Sequence, residues 1–175
     1  AIFKVQQTLA QKSDSQLILI ADSLISNLCF FPDVWEKYLL NHRPLNLGIG
    51  GDKVENVLWR IQNIDFPKTA THIFIMCGSN NLDTNTPEAI AQGIMHCGTS
   101  IKLQSIQYTV SILSILPRDR IHNERRRKIC AVNNILKREC PKNYLHFVPI
   151  NENIWIHNNR VLKMDLYHLD FIHLS

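Results

Sequence analysis

Short, wholly apolar runs alternate along this chain with longer stretches that carry apolar residues on one helical face. Gln16-Leu-Ile-Leu-Ile-Ala21 has strand length and branched side chains, which predicts a strand buried on both faces. Asp33 to Leu40, just after Pro32, opens on a capping-type residue and spaces its apolar positions as a helix would. Leu45 to Ile49 predicts a second strand. Asp52 is then placed to cap a helix whose inward stripe is Val54, Val57, Leu58 and Ile61. His72 to Cys77 predicts a third strand, and Pro87 with Glu88 opens a helix reaching about Leu103. Tyr108 to Leu116 is a fourth strand, broken by Pro117. Ile129, Val132, Ile135 and Leu136 form the stripe of a helix ending near Glu139, and Leu145 to Pro149 is the last strand.

Strands alternating with helices imply crossover units. The expected fold class is therefore α/β, a three-layer α/β/α sandwich around a mainly parallel sheet. At 175 residues with 45% hydrophobic content, residues 1–175 are expected to form one domain. The net charge of +4, from 19 basic and 15 acidic residues, permits an anionic partner without demanding one. Arg118, Arg120, Arg125, Arg126, Arg127 and Lys128 cluster in one segment that could meet phosphates of RNA or an anionic lipid surface. A solvated loop and helix start is the plainer reading of such a run. The five cysteines are odd in number and widely spaced, which argues against a zinc site and for a reducing, intracellular and specifically cytoplasmic setting. No apolar run approaches the roughly 20 residues needed to cross a bilayer, and no leader pattern opens the sequence.

In parallel sheets ligands gather beyond the carboxyl ends of the strands. Three loops there are small and polar: Ala21-Asp22-Ser23-Leu24, Gly48-Ile-Gly-Gly51-Asp52 and Gly78-Ser-Asn-Asn81. Ser23, at a strand-to-helix turn, is either a nucleophile or a simple cap. The glycines around Gly51 offer backbone N–H groups at close range, or serve only the turn. Asn80 could donate its amide to an oxyanion or hold its own loop. Near the end of the chain lie two Asp-x-x-His pairs, Asp165 with His168 and Asp170 with His173, and spacing alone does not choose between them. Phe30, Phe31 and Trp155 read as packing aromatics and receive no role.

Taken together, Ala21-Asp22-Ser23, Gly51, Asn80 and Asp170-Phe-Ile-His173 resemble the four blocks of the SGNH (GDSL-like) hydrolases, in the same order and over residues 16 to 175. Asn46 to Asp52 with Val57-Leu-Trp-Arg60 is similar to the small catalytic subunits of intracellular platelet-activating-factor acetylhydrolase, as are Leu116-Pro-Arg118 and the closing Asp170 to Ser175. Leu174-Ser175 after His173 favours that histidine over His168. Gly48 to Asp52 and Leu116 to Asp119 also resemble esterase domains of LINE-type retrotransposon first-open-reading-frame proteins.

The resemblance implies a flavodoxin-like sheet and a Ser23–His173–Asp170 triad. It further implies an oxyanion hole from Ser23, Gly51 and Asn80, no metal or cofactor, and hydrolysis of short-chain, acetyl-type esters, lipid esters included. The retrotransposon likeness implies one module of a longer, self-associating chain with nucleic-acid-binding parts, in line with an abrupt start and an end just after His173. Two departures stand out: Ala21 where the family usually has glycine, which should narrow the nucleophile turn, and Phe171 in a turn often built with glycine. The rival expectation is a non-catalytic scaffold that binds RNA or anionic lipid through the basic segment.

Overall fold

The structure, a computed structural model, describes residues 2–156 and 161–175. Five strands, β1 (Leu17–Ala21), β2 (Pro44–Gly48), β3 (His72–Met76), β4 (Thr109–Leu113) and β5 (His146–Val148), form one sheet in the order β2-β1-β3-β4-β5. Every pairing is parallel. Between them run helices α1 (Ile2–Lys12), α2 (Ser23–Ser26), α3 (Pro32–Val34), α4 (Val54–Asn63), α5 (Pro87–Gln104), α6 (Glu124–Glu139) and α7 (Glu152–Trp155). The doubly wound α/β architecture is the one that the strand–helix alternation predicts.

Alternation along β1 separates two apolar layers. Ile18 and Ile20 join Val57, Ile61, Ile90, Ile94, Val132 and Leu136 of α4, α5 and α6 in the larger core. Leu17, Leu19 and Ala21 turn to the other face, against Ile25, Met76 and Leu116. That second face is covered by α2, the 27–42 segment and Ile150, Trp155 and Leu174 rather than by long helices. Asp33 to Leu40 is not the regular helix its spacing predicts: Pro32–Val34 is α-helical, Trp35–Leu39 follows with π-helical bonding and Leu40–His42 with a 3₁₀ turn. None of these residues is fully buried, so packing does not impose one helical register there.

Other boundaries also shift. β4 ends at Leu113 rather than Leu116, because Ile115 bonds instead through its N–H and carbonyl to the Asn133 side-chain amide of α6, both at 2.9 Å. Helix α1, which the apolar pattern did not single out, packs Ala10 into the core and Phe3 edge-on against Trp59. Asp52 does not cap α4. Lys53 occupies that position, the Asn81 side chain receives the Val54 N–H at 2.9 Å, and Asp52 is free for a different partner.

The strand order reverses between β1 and β3, and in sheets of this kind ligands gather at the carboxyl edge of such a switch point. Register sets Gly48, Ala21 and Met76 side by side on that edge, so the three polar loops leave the sheet at one level. Gly48 is indispensable to this arrangement. A methyl group there would meet Ser26 N at 2.4 Å, Ser26 Cα at 2.8 Å and the Asp22 carbonyl at 3.0 Å, all of them backbone atoms. Gly48→Ala should therefore destabilise the fold by about 1–3 kcal/mol in urea unfolding, the usual range for a core forced to accept an extra methyl.

Candidate active site

Asp22 and Ser23 follow β1 directly. Asp22 caps α2, its Oδ1 accepting the Leu24 N–H at 3.1 Å, and the Ser23 N–H opens the helix, where no preceding turn offers it an acceptor. Ser23 Oγ lies 2.8 Å from His173 Nε2. His173 Nδ1 lies 2.6 Å from Asp170 Oδ2, and Asp170 Oδ1 accepts the N–H groups of Ile172 and His173 at 2.9 and 3.0 Å. Burial pushes the Asp170 carboxyl up, but the His173 hydrogen bond and the two backbone donors outweigh it and hold the group down at about 2. A carboxylate that stays ionised fixes Nδ1 as the protonated nitrogen, leaving Nε2 to accept from the Ser23 hydroxyl.

His168 is exposed and meets His173 only through the backbone, its N–H donating to the His173 carbonyl at 2.8 Å. The structure thus brings Ser23 to the second Asp-x-x-His pair. Phe171 adopts a left-handed backbone, φ 54°, which is why glycine suits this turn and phenylalanine strains it. The Ala21 methyl is fully buried in the second apolar layer.

Gly51 has a left-handed φ of 79° and nothing within 4 Å of where a Cβ would stand, and a Cβ on Gly50 would lie 4.0 Å from Ser23 Cβ. The glycine backbone therefore runs alongside the serine with open space over it. Asn80 lies on the turn after Gly78 and donates one amide hydrogen to the Asp52 carbonyl at 2.9 Å, leaving its second hydrogen for another acceptor.

Asp52 is held in turn by Arg60, whose Nη2 lies 2.6 Å from Asp52 Oδ2. The same buried guanidinium donates to the carbonyls of Leu47 at 2.7 Å and Ala21 at 3.0 Å and to Gln6 Oε1 at 3.3 Å. In the sequence Arg60 stands out only within the family-like Val57-Leu-Trp-Arg60 segment. Its signal was a charged residue set between Val57 and Ile61 on the inward stripe of α4. Asp22 was likewise given no role of its own, yet it is 1% exposed.

The basic segment is largely engaged within the fold. Arg126 is buried against backbone carbonyls, Arg125 grips Asp83 with two bonds of 2.6 and 2.9 Å, Arg127 pairs with Glu124, and Arg118 donates to the Ser79 carbonyl at 3.2 Å. Arg120 is exposed. Among the described residues there is no cluster of three or more metal-ligating side chains, and no helix is long and apolar enough to cross a membrane.

No family model matches the chain. A curated relative, platelet-activating factor acetylhydrolase IB subunit alpha2 of Homo sapiens, is 26% identical over 163 residues, 93% of this chain and 70% of its own length. A Streptococcus pneumonia structure that carries the name platelet activating factor superposes with a TM-score of 0.83 at 19% identity, covering 99% of this chain and 84% of the other. A GDSL-like lipase from Bacteroides thetaiotaomicron gives 0.78 at 17% identity over 98% and 86%. The SGNH-hydrolase family esterase AlinE4 gives 0.60 at 18% identity over 88% and 86%. The fold is that of the SGNH hydrolases. The esterases, lipases and acetylhydrolases among these relatives and neighbours support a hydrolase.

Two groups here make measurable stability predictions. Arg60→Met strands the Asp52 carboxylate and three carbonyl or amide oxygens, and should cost about 3–5 kcal/mol in urea unfolding. Asp22 is pushed up to about 6, first by burial and further by Asp52, against the lowering effects of the Leu24 N–H, His173 and Arg118. The folded chain thus binds this proton more tightly than the unfolded chain. Its contribution favours folding below about pH 4 and is lost as the pH rises through 6. Asp22→Asn should gain on wild type by on the order of 3 kcal/mol across that window and run parallel to it above pH 7.

Proposed function

We propose that this chain is a serine esterase that cleaves short-chain, acetyl-type acyl esters through Ser23, His173 and Asp170. The observation that carries this reading is the relay of 2.8 and 2.6 Å contacts from Ser23 Oγ through His173 to Asp170, assembled from residues 150 positions apart. His173 Nε2 takes the hydroxyl proton as Ser23 attacks the ester carbonyl. Asp170 stabilises the imidazolium, and the same nitrogen returns the proton to the leaving alcohol. The acyl-serine that results is cleaved by water, with His173 acting as base once more. The N–H groups of Ser23 and Gly51 and the free amide hydrogen of Asn80 receive the oxyanion, one such donor being worth about 3 kcal/mol.

The acyl size follows from a cavity of about 190 Å³ lined by Leu24, Asn27, Leu28, Phe31, Val34, Leu174 and Ser175. Leu24 and Leu174, the chain neighbours of Ser23 and His173, form part of its wall; it is mostly apolar and falls below the roughly 300–1,000 Å³ of ordinary small-molecule sites, which favours a short acyl group. Lipid esters fit this reading as far as their short acyl arm goes. The retrotransposon-module assignment rests on the Gly48–Asp52 and Leu116–Asp119 segments alone.

Hydrolysis of para-nitrophenyl acetate, butyrate and octanoate tests the proposal. Turnover should be fastest on the two shorter esters and fall by about 10⁴-fold or more in Ser23→Ala and His173→Ala, and by 10²–10³-fold in Asn80→Ala. Activity indifferent to Ser23 would overturn the triad. No turnover in a folded wild type would leave salt-dependent binding of RNA or anionic vesicles as the reading to pursue.

A further inference from the structure

Arg126 is 2% exposed, and its guanidinium gathers three consecutive carbonyls. Nε donates to the Arg118 carbonyl at 2.8 Å, and Nη2 donates to the carbonyls of Asp119 and, at 3.3 Å, Arg120. Aiming three successive carbonyls at one cation requires the backbone to curl, and Asp119 takes a left-handed φ of 66° to do so. Only a planar fork can serve this set, since a lysine ammonium is a single point of charge.

The curl turns the other side of the segment toward the C-terminal loop. Asp119 N–H donates to the Phe171 carbonyl at 2.9 Å, and the Arg120 carbonyl accepts the Leu162 N–H at 3.0 Å. The Pro117 carbonyl accepts the buried Tyr167 hydroxyl at 2.7 Å. Residues 117–120 thus hold the 162–171 segment at three points. One of those points is Phe171, the left-handed residue that lets Asp170 reach over to His173.

We propose that Arg126 is a positioning residue for the triad: through the backbone of residues 117–120 it fixes the turn that seats Asp170 on His173. The inference rests on the triad reading for its catalytic consequence, while the contact it controls can be followed without turnover. A basic side chain that resembles a phosphate ligand in the sequence thereby acts inside the protein, on its own carbonyls.

The test compares the full chain with Arg126→Met and Tyr167→Phe, which remove the cation and the Pro117 tie respectively. Esterase kinetics are read together with the far-downfield proton resonance of a histidine Nδ1–H bonded to a carboxylate. Arg126→Met should lower kcat by about 100-fold with KM changed less than about twofold, and should abolish that resonance. Tyr167→Phe should show the same pattern more weakly. Should Arg126→Met fail to fold, Tyr167→Phe decides alone. Folded variants that keep both wild-type kcat and the resonance would overturn the proposal. A wild type without turnover would defeat the esterase reading instead, and the resonance would still decide whether Arg126 governs the Asp170–His173 contact.

Discussion

A guanidinium taken out of water must find acceptors for its donors, and at the carboxyl edge of this sheet Arg60 finds them on three separate elements. The carbonyls of Ala21 and Leu47 bring together the ends of β1 and β2. Gln6 draws in α1, and Asp52 neutralises the charge. Because the Asp52 carbonyl in turn receives the Asn80 amide, the loop after β3 is tied to the same centre. Strand register sets the three loops at one level, and this buried cation ties them to one another there, with Ser23 standing on the first of them.

Asp22 shows what this concentration of charge demands. It lies beside the Ser23 turn, nearly inaccessible, with its own ionisation disfavoured by burial and by Asp52. The single helix amide it caps and the nearby cations only partly offset this. Its place is local and geometric, holding the turn that presents Ser23. Asp170, by contrast, is ionised readily because its acceptors are filled by two backbone N–H groups and an imidazole. Two carboxylates close to one cleft are thus driven in opposite directions by solvent access and donor count.

Much of this was legible in the residues themselves. The run from Leu17 to Ala21 reads as a doubly buried strand because every side chain in it is apolar, and the structure buries all five. Gly51, Asn80 and Ser23 could be picked out because polar, glycine-rich loops are conspicuous after apolar strands. What the residues did not show was where their charges go. Arg126 sits in a run of basic residues that looks solvated, yet its carbonyl partners belong to the backbone, which has no signature in composition. Asp52 has the form of a helix cap, but Arg60 two turns later competes for its carboxylate and wins. The 32–42 segment failed differently: its spacing suits a helix, but only Trp35 and Leu39 lean on the second apolar layer and neither is fully buried, which is too little to hold one register.

Ser23 leaves the first strand of the chain and His173 arrives after the last, so a 2.8 Å contact joins residues among the most distant along the chain. A loop of that span carries an entropic cost that must be met before the contact returns anything. The hydroxyl and the imidazole consequently meet only after the intervening strands have paired and the crossover helices have docked. Until then Ser23 is an ordinary alcohol on a partly formed sheet. On the proposed reading, acyl transfer is a property that the chain acquires all at once, on completing its fold.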